Sequence, residues 1–266
     1  MQTLTSIQTA NRQYDTLERP VLILCNDMQE YVCKHAIGTE AMNLFCEYVA
    51  ASFLRLWSLP VPDFAFVKIN YDHVKQFGIP RRLIEKTWFG SKYSHFYQEL
   101  SLFTDTPDIS KQKGYVDNRD NLLKIALFDI WMANEDRRYN HLNLMIDVLH
   151  NYAFVPIDHG AVFNNRTMNF PMTLLTENEC LTDIPLIQLL FPKMEVSKDY
   201  IQQLKDNFYL CTSECKQNLN DILSFLPKDW NIDLPVVTHK INNELFTAEW
   251  EEQVIETFLK YIRSPY

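Results

Sequence analysis

Two positions in the first third of the sequence place a charged side chain among apolar or β-rich neighbours. Lys34 lies inside the strand-like run 31–35, and Glu47 is the only charged residue between positions 41 and 54. A strand lysine held by a helix carboxylate can direct its ammonium group at phosphate oxygens. Taken singly, the lysine is typical of an edge strand that faces water, and the glutamate fits the solvated side of an amphipathic helix.

Two polar stretches further along the chain each follow an apolar segment. Asp136 and Asn143 lie seven residues apart in one polar run, and Asp158 follows a second apolar run, with Gly160 two positions later. An aspartate can orient a hydroxyl nucleophile, whereas an asparagine and a second aspartate supply oxygen ligands of the kind that Mg²⁺ prefers. Asp, Asn and Gly are also ordinary turn residues, so each stretch by itself favours a turn.

The elements that must hold the first pair of side chains follow from hydrophobic patterning. The first third of the chain is predicted to contain a hairpin, one helix and two further strands. Their predicted bounds are 21–25 and 31–35 for the hairpin, 40–57 for the helix, and 62–69 and 87–93 for the strands. The pattern therefore predicts Lys34 on a strand and Glu47 on the helix that follows it.

The remainder of the chain is predicted to be mainly helical. Residues 104–118 have the composition of a surface loop, an amphipathic helix runs from about 120 to 133, and two short apolar runs after it predict a small hairpin. Further helices are predicted at 184–191, 198–211, 213–226 and 247–263. The fold class is thus α+β, with a small β-rich part that holds one helix and a larger, mostly helical part.

The order of these chemical groups along the chain is that of the protein-kinase-like architecture. The segments 128–146 (FDIWMANEDRRYNHLNLMI) and 154–163 (FVPIDHGAVF) resemble the HipA-like kinases, and the run 31–34 with the helix after it is similar to that family's lysine strand and acidic helix. The resemblance covers roughly residues 20–165. It implies a two-lobed fold, with an ATP-binding N-lobe at 1–93 and a catalytic C-lobe at 94–266.

The resemblance also implies a role for each of five side chains. Lys34 would contact the phosphates of ATP with Glu47 as its partner, and Asp136 would be the catalytic aspartate. Asn143 and Asp158 would be the ligands of Mg²⁺, the second cofactor.

Two further positions complete the implied ATP site. Asn140 is a second candidate for the role of the metal asparagine, although Asn143 immediately precedes the strand, as the family's residue does. Gly90 lies in the last predicted N-lobe strand, next to the hinge, where backbone groups are expected to face adenine.

Glycine is scarce in this sequence. The 266 residues include five glycines, where average usage predicts roughly 19. Walker loops and dinucleotide fingerprints need two or three closely spaced glycines, so both are excluded. Because no glycine precedes Val21, residues 11–15 are expected to cover the phosphates with side chains attached.

Charge and composition narrow the class of partner. A net charge of −9 argues against a nucleic-acid surface, and the six cysteines contain no C-x-x-C pair, so they are predicted to be reduced core residues. No stretch approaches 18 uninterrupted apolar residues, and the first residues lack the pattern of a leader. We therefore expect a cytoplasmic protein with neither a nucleic-acid nor a membrane partner.

The resulting functional hypothesis is an ATP- and Mg²⁺-dependent kinase that phosphorylates a hydroxyl group, serine or threonine of an unidentified protein substrate. One alternative is a kinase for phosphoinositides or another small molecule, since those enzymes share the same motif logic. Another alternative is a kinase-like binding module that has weak catalytic activity.

Overall fold

The computed structural model describes residues 1–38, 40–100, 113–137, 142–183, 185–191 and 198–263. The first part of the chain forms a six-stranded sheet in the spatial order β1-β5-β6-β4-β3-β2. The strands are β1 (Thr3–Thr5), β2 (Arg12–Gln13), β3 (Val21–Leu24), β4 (Glu30–Lys34), β5 (Phe64–Lys68) and β6 (Trp88–Lys92). Neighbouring strands are antiparallel except for β1 and β5, which run parallel.

The predicted hairpin, helix and two strands of this part are confirmed, but β1 and β2 were not predicted. Only Leu4 is buried in β1, and β2 is two residues long with no buried side chain. Such short edge strands carry no alternation that a sequence pattern can detect. The loop that precedes β3 is consequently residues 14–20, and Arg12 and Gln13, within the segment expected to cover the phosphates, lie in β2.

Helix α1 (Met42–Leu56) packs between the sheet and the helical part of the chain. It is buried without interruption from Asn43 to Leu54, as expected for a helix that is apolar on all sides. Its side chains belong to one hydrophobic core with Phe66 and Phe89 of the sheet and with the C-terminal helices. Glu47 therefore does not lie on a solvated helix face.

The second part of the chain surrounds a three-stranded sheet in the order β7-β8-β9. Its strands are β7 (Tyr97–Glu99), β8 (Leu144–Asp147) and β9 (Ala153–Pro156), and β8 and β9 form the predicted hairpin. The chain passes from the larger sheet to the smaller one over residues 93–96, where the predicted lobe boundary falls.

Helices make up most of the second part. After the short helix α2 (Arg81–Ile84) of the first part, the helical segments are α3 (Lys113–Trp131), α4 (Val162–Arg166), α5 (Pro185–Leu190), α6 (Lys198–Ser224), α7 (Leu234–Lys240) and α8 (Ala248–Arg263). A π-helical turn, Ile241–Leu245, follows α7. Short 3₁₀ turns occur at Tyr71–His73, Lys75–Phe77, Glu177–Glu179, Leu181–Asp183 and Lys228–Trp230. No helix within these described ranges combines the length and apolarity that crossing a membrane requires.

The start of α3 corrects the predicted loop at 104–118. Residues 101–112 lie outside the described part of the chain, but the helix begins at Lys113 and not near residue 120. Gly114 explains the early start: a Cβ there would lie 2.6 Å from the ring of Tyr152, so only glycine lets the first turn approach the β8–β9 connection. Asn118 then donates hydrogen bonds to the carbonyls of Gly114 and Asn151 at 2.8 and 2.7 Å.

Two predictions about the C-terminal helices were also wrong. The predicted helices 198–211 and 213–226 are one continuous helix, α6, because Thr212 is buried within it and its hydroxyl bonds to the carbonyl of Tyr209 at 3.2 Å. Helix α7 was not predicted, since its seven residues are too few for a helical period and Pro235 in its first turn reads as a breaker. The other predicted helices correspond to α5 and α8.

Candidate active site

A cluster of one lysine and three carboxylates lies where the sheet meets the helical part of the chain. The Nζ atom of Lys34, at the end of β4, forms an ion pair with Glu47 of α1. The same Nζ lies 2.5 Å from Oδ1 of Asp158 and 3.1 Å from Oε2 of Glu18. The structure therefore brings together three predicted site residues that are 13 and 124 positions apart, and adds Glu18 to them.

Burial and charge act against each other in this cluster. The Lys34 side chain is 11% exposed. Burial alone would lower the pKa of Lys34, but the carboxylates of Asp158, Glu47 and Glu18 outweigh it and raise that pKa well above its usual value. Lys34 is thus held in its charged form, and it is not the water-facing edge lysine of the simpler interpretation.

The two predicted carboxylates in contact with Lys34 have opposite pKa shifts. Burial would raise the pKa of Glu47, but Lys34 and a hydrogen bond from His159 lower it far below the usual range. For Asp158, burial outweighs the attraction of Lys34, and the neighbouring Glu47 adds to it, so the pKa rises to about 6. Glu47 is therefore a fixed anion, whereas Asp158 is the member of the pair whose charge is more easily lost.

The turn after β9 supports the cluster through its backbone. The backbone N–H of His159 donates to Oε2 of Glu47 at 3.0 Å, whereas Lys34 contacts Oε1, so both carboxylate oxygens are held. Gly160 faces the cluster: a Cβ there would lie 3.5 Å from carboxylate oxygens of both Glu18 and Glu47. Glycine at 160 therefore keeps a side chain out of the space next to the charged groups.

Asp136 and Asn143 form a second contact, in the loop between α3 and β8. The amide nitrogen of Asn143 donates to the backbone carbonyl and to Oδ2 of Asp136, both at 3.2 Å. Because the amide uses its nitrogen for these bonds, its oxygen stays available as a ligand. Asn140, the other candidate for this role, lies outside the described residues.

The ion cluster around Lys34 and the Asp136–Asn143 contact lie at the same end of the β8–β9 hairpin. Asn143 immediately precedes β8 and Asp158 lies just after β9, and Leu144 pairs with Pro156 across the hairpin. The backbone N–H of Ile157 donates to the carbonyl of Asn143 at 2.9 Å. Both predicted metal ligands therefore leave the sheet from the same end, and Asp136 is hydrogen-bonded to one of them.

Arg137, which sequence reasoning did not assign to the site, holds this end of the hairpin together. Its buried guanidinium donates to Oδ2 of Asp129 at 2.8 Å, to the carbonyls of Leu142 and Ile157 at 3.3 and 3.2 Å, and to the carbonyl of Asn143. One cation thus connects α3, the loop with Asn143 and the residue before Asp158. The signal in the sequence was an arginine directly after the candidate catalytic aspartate.

The sheet offers an apolar surface on the same face as Lys34. Because successive residues of a strand alternate between faces, Val32 shares the face of Lys34, and the register pairs Val32 with Leu22 and Ser91. Val32 is half-buried and Leu22 is buried outside the two hydrophobic cores. This row is the part of the site that a flat, apolar ring could cover.

Gly90 is not brought to the ion cluster. It pairs with Cys33, on the sheet face opposite Lys34, and a Cβ there would lie 2.9 Å from Val67 and 3.0 Å from the sulfur of Cys33. Close packing on that face explains why glycine occupies the position. A backbone contact between Gly90 and adenine remains a prediction.

Glu18 enters the site from the loop between β2 and β3, and no sequence pattern indicated it. Its Oε1 atom lies 3.8 Å from the guanidinium of Arg166, and its Oε2 atom contacts Lys34. Arg166 ends the short segment α4, whose residues Phe163, Asn164 and Asn165 have left-handed backbone angles. Two cations from distant parts of the chain therefore converge on the Glu18 carboxylate.

Comparisons with known proteins bear on the family and the fold of this chain. A family model described as HipA-like kinase matches residues 7–258. The chain is similar to the solved structure of CtkA, a proinflammatory kinase of Helicobacter pylori, with 14% identity, a TM-score of 0.53, and coverage of 94% of this chain and 97% of that chain. Golgi casein kinase aligns with 13% identity and a TM-score of 0.48 over 97% of this chain and 75% of its own. Curated protein sequences give no match. The likeness to CtkA supports the predicted two-lobed, kinase-like fold.

Proposed function

The chain belongs to the HipA-like kinase family, and we propose that it transfers the γ-phosphoryl group of ATP, bound with Mg²⁺, to a serine or threonine hydroxyl of a protein. The observation that carries this proposal is the convergence of a strand lysine, a helix glutamate and the aspartate after the β8–β9 hairpin in one cluster. A purely structural ion pair has no need of three separate elements and a surplus of carboxylates. A phosphate-binding site needs both a fixed cation and groups that can hold a metal.

The residues present fit the phosphates and the adenine ring of ATP. Lys34 stays charged and is fixed by Glu47, so its ammonium group can take a phosphate oxygen in place of one of its other carboxylates. Leu22 and Val32 offer apolar surface next to it for the adenine ring. These two contacts would orient the nucleotide with its phosphates towards the β8–β9 hairpin.

The residues also fit Mg²⁺. The amide oxygen of Asn143 and the carboxylate of Asp158 are hard oxygen ligands at one end of the hairpin, the donor type that this ion takes. Bound Mg²⁺ supplies positive charge that neutralises phosphate oxygens during transfer. The protein itself holds the two ligands in register through the Arg137 guanidinium, which bonds to the backbone beside both of them.

Asp136 is the residue proposed to act on the substrate hydroxyl. The Asn143 amide holds one of its carboxylate oxygens at 3.2 Å, so the other oxygen remains available to accept the hydroxyl proton or to orient the hydroxyl group. A positioned general base contributes typically about 10²- to 10⁴-fold to a rate. Replacing Asp136 should therefore remove most of the activity while the ion cluster around Lys34 stays intact.

The test is transfer of label from γ-labelled ATP with Mg²⁺ to proteins of a cell lysate. Asp136→Ala should label at least about 100-fold more slowly than wild type. Asp117→Ala is the matched control, because Asp117 is an exposed carboxylate on α3, away from the site. Equal labelling by wild type and Asp136→Ala would overturn the catalytic assignment. Labelling of free inositides with none of proteins would instead identify a small-molecule kinase.

Binding can be separated from turnover by thermal unfolding with ATP and Mg²⁺. A ligand that binds only the folded state raises the melting temperature. We expect this rise in wild type and its loss in Asp158→Ala, with Asp117→Ala again as the control. Stabilisation without any labelling would identify a kinase-like binding module. The absence of stabilisation at millimolar nucleotide would contradict ATP binding itself.

A further inference from the structure

We propose that the Glu18 carboxylate is an internal occupant of the phosphate-binding position, held between Lys34 and Arg166, and that a phosphate group binds there by displacing it. This inference rests on the proposed nucleotide site and adds two residues to it, Glu18 as the competing anion and Arg166 as a second cation for the phosphates. Neither residue belongs to the motifs from which the site was predicted.

The loop between β2 and β3 directs Glu18 inward specifically. The neighbouring Leu17 is fully exposed, whereas the Glu18 side chain is only 15% exposed. The loop is closed by a hydrogen bond from the backbone N–H of Tyr14 to the carbonyl of Pro20 at 2.9 Å, and Arg19 next to Glu18 adopts a positive φ of 48°. A surface loop that exposes a leucine and buries a glutamate is stabilised by the charges that the glutamate meets.

The charges around Glu18 match those that a phosphate would need. One carboxylate oxygen lies 3.1 Å from Nζ of Lys34, and the other lies 3.8 Å from Arg166. Two oxygens that each face a cation reproduce two oxygens of a phosphate group. An anion that replaces Glu18 would therefore find both cations already positioned.

Glu18 is also the most readily displaced of the three carboxylates on Lys34. Glu47 is held additionally by the backbone N–H of His159, and Asp158 is fixed by its place directly after the hairpin. Among the described residues, Glu18 has only its two ion pairs, and it lies on a loop. Because three carboxylates surround one ammonium group, losing one of them still leaves Lys34 paired.

The backbone around Arg166 indicates that its position is maintained against strain. Residues Phe163, Asn164, Asn165 and Arg166 all have positive φ, between 48° and 69°. Consecutive left-handed residues other than glycine are energetically unfavourable, because the Cβ atom lies too close to the following carbonyl oxygen. The Asn164 side chain holds the turn, since its amide donates to Glu135 at 3.1 Å and its oxygen accepts from the backbone N–H of Thr173 at 2.8 Å. Strain of this kind is retained where the surrounding structure over-determines it, typically at functional sites.

The decisive experiment is calorimetric titration of the full chain with inorganic tripolyphosphate and, separately, with Mg·ATP. Glu18→Gln keeps the size of the side chain but removes its charge, and we expect it to bind both probes about tenfold more tightly than wild type, since a site occupied by its own anion is open only a fraction of the time. Arg166→Gln should bind both probes several-fold more weakly. Asp15→Asn is the matched control, an exposed carboxylate of the same loop, and should bind like wild type.

The outcomes separate this inference from the proposed function. Equal affinity of wild type and Glu18→Gln for both probes would overturn the displacement by phosphate while leaving nucleotide binding in place. If Glu18→Gln bound tripolyphosphate more tightly than wild type but neither protein bound Mg·ATP, the anion position would be supported and the nucleotide site contradicted. A gain in Asp15→Asn equal to that in Glu18→Gln would reduce the effect to the net charge of the loop, which also overturns the inference. Circular dichroism of each variant checks that it is folded.

Discussion

Lys34 and Arg137 are both buried cations close to the β8–β9 hairpin, but their charges are balanced differently. Arg137 has one carboxylate partner, Asp129, and its other hydrogen bonds go to backbone carbonyls. Lys34 has three carboxylate partners and no carbonyl among its described contacts. The first group of residues is electrically matched, and the second carries a surplus of negative charge.

The difference separates a structural ion cluster from one that is suited to exchange ligands. Removing either member of a matched, buried pair leaves an uncompensated charge that has no replacement partner. In the surplus cluster, one carboxylate can leave Lys34 while two remain, so a phosphate or a metal can enter without exposing a bare charge. The four predictions that follow test this distinction, in order of decreasing expected effect.

The largest effect should come from Arg137→Met. The variant leaves Asp129 buried without its cation and frees the carbonyls that the guanidinium holds, so the free energy of unfolding should fall by about 3–5 kcal/mol. Urea denaturation followed by tryptophan fluorescence measures it. Arg81→Met is the control, because Arg81 pairs with Glu85 on the exposed surface and its loss should cost under about 1 kcal/mol. If Arg137→Met lowered the free energy of unfolding as little as Arg81→Met does, Arg137 would not be part of a structural ion cluster.

Lys34→Met should lower the stability of the protein only moderately and its activity strongly. The Asp158 side chain is 35% exposed, so water can take over part of the lost compensation, and we expect a loss of about 1–2 kcal/mol of stability. Labelling from ATP should fall at least about 100-fold, because the cation proposed to bind the phosphates is gone. Urea denaturation and the labelling assay are run together, with Lys75→Met as a control on an exposed lysine whose partner, Asp72, is also exposed. A stability loss equal to that of Arg137→Met would make both clusters structural.

The third prediction concerns the ion pair of Asp229 with Lys68, which is balanced in charge but only partly buried. It accepts from Lys68 at 2.6 Å and from the backbone N–H and hydroxyl of Thr87 at 3.0 and 2.9 Å. Burial alone would raise the pKa of Asp229, but these hydrogen bonds lower it overall. Its contribution to stability is therefore present above about pH 4, its value in the unfolded chain, and is lost as the pH falls through the lower folded value.

Asp229→Asn should accordingly cost about 1 kcal/mol at pH 7, and the difference from wild type should close as the pH is lowered below about 4. Urea denaturation at a series of pH values measures this dependence. Asp72→Asn is the control variant: it removes an exposed carboxylate paired with Lys75 and should cost under about 1 kcal/mol at pH 7. A gap that widens in acid would contradict the lowered pKa.

The smallest effect on stability should come from Glu18→Gln. Because the variant removes one of three like charges around Lys34, the free energy of unfolding should stay within about 0.5 kcal/mol of wild type, whatever happens to phosphate binding. Urea denaturation decides it, with Asp15→Asn as the companion variant. A cost above about 2 kcal/mol would mean that Glu18 is a required partner of Lys34, and the surplus would then be only apparent.

The sequence predicted the parts of the site that have a local pattern. Lys34 and Glu47 were assigned to a strand and to a helix by alternation and helical period, and the hairpin before Asp158 by two apolar runs. The contact between Lys34 and Asp158, which are 124 positions apart, has no local signal in the sequence. Only the order of motifs and the family resemblance indicated it. The fold class and the two-lobed architecture were confirmed, while the catalytic and metal-binding roles remain proposals.

The features that were missed depend on contacts that no short pattern records. Glu18 looks like any loop glutamate until β2, a strand of two residues, brings its loop over the sheet. Arg137 is an arginine in a polar run, and only the folded chain reveals that its guanidinium is fully buried. Close packing against Val67 and Cys33 accounts for the glycine at position 90, while its backbone contact with adenine stays a prediction.

The uninterrupted burial of α1 has a consequence for how this protein loses structure. Because α1 shares one hydrophobic core with the sheet and with the C-terminal helices, the two lobes should melt in a single cooperative transition, and residues 1–93 by themselves would expose the surface that this helix buries. Glu47 lies in the middle of that helix. A substitution that loosens the core of the helical lobe would therefore also displace the partner of Lys34. Such a mutation should lower the melting temperature and weaken the proposed nucleotide binding together.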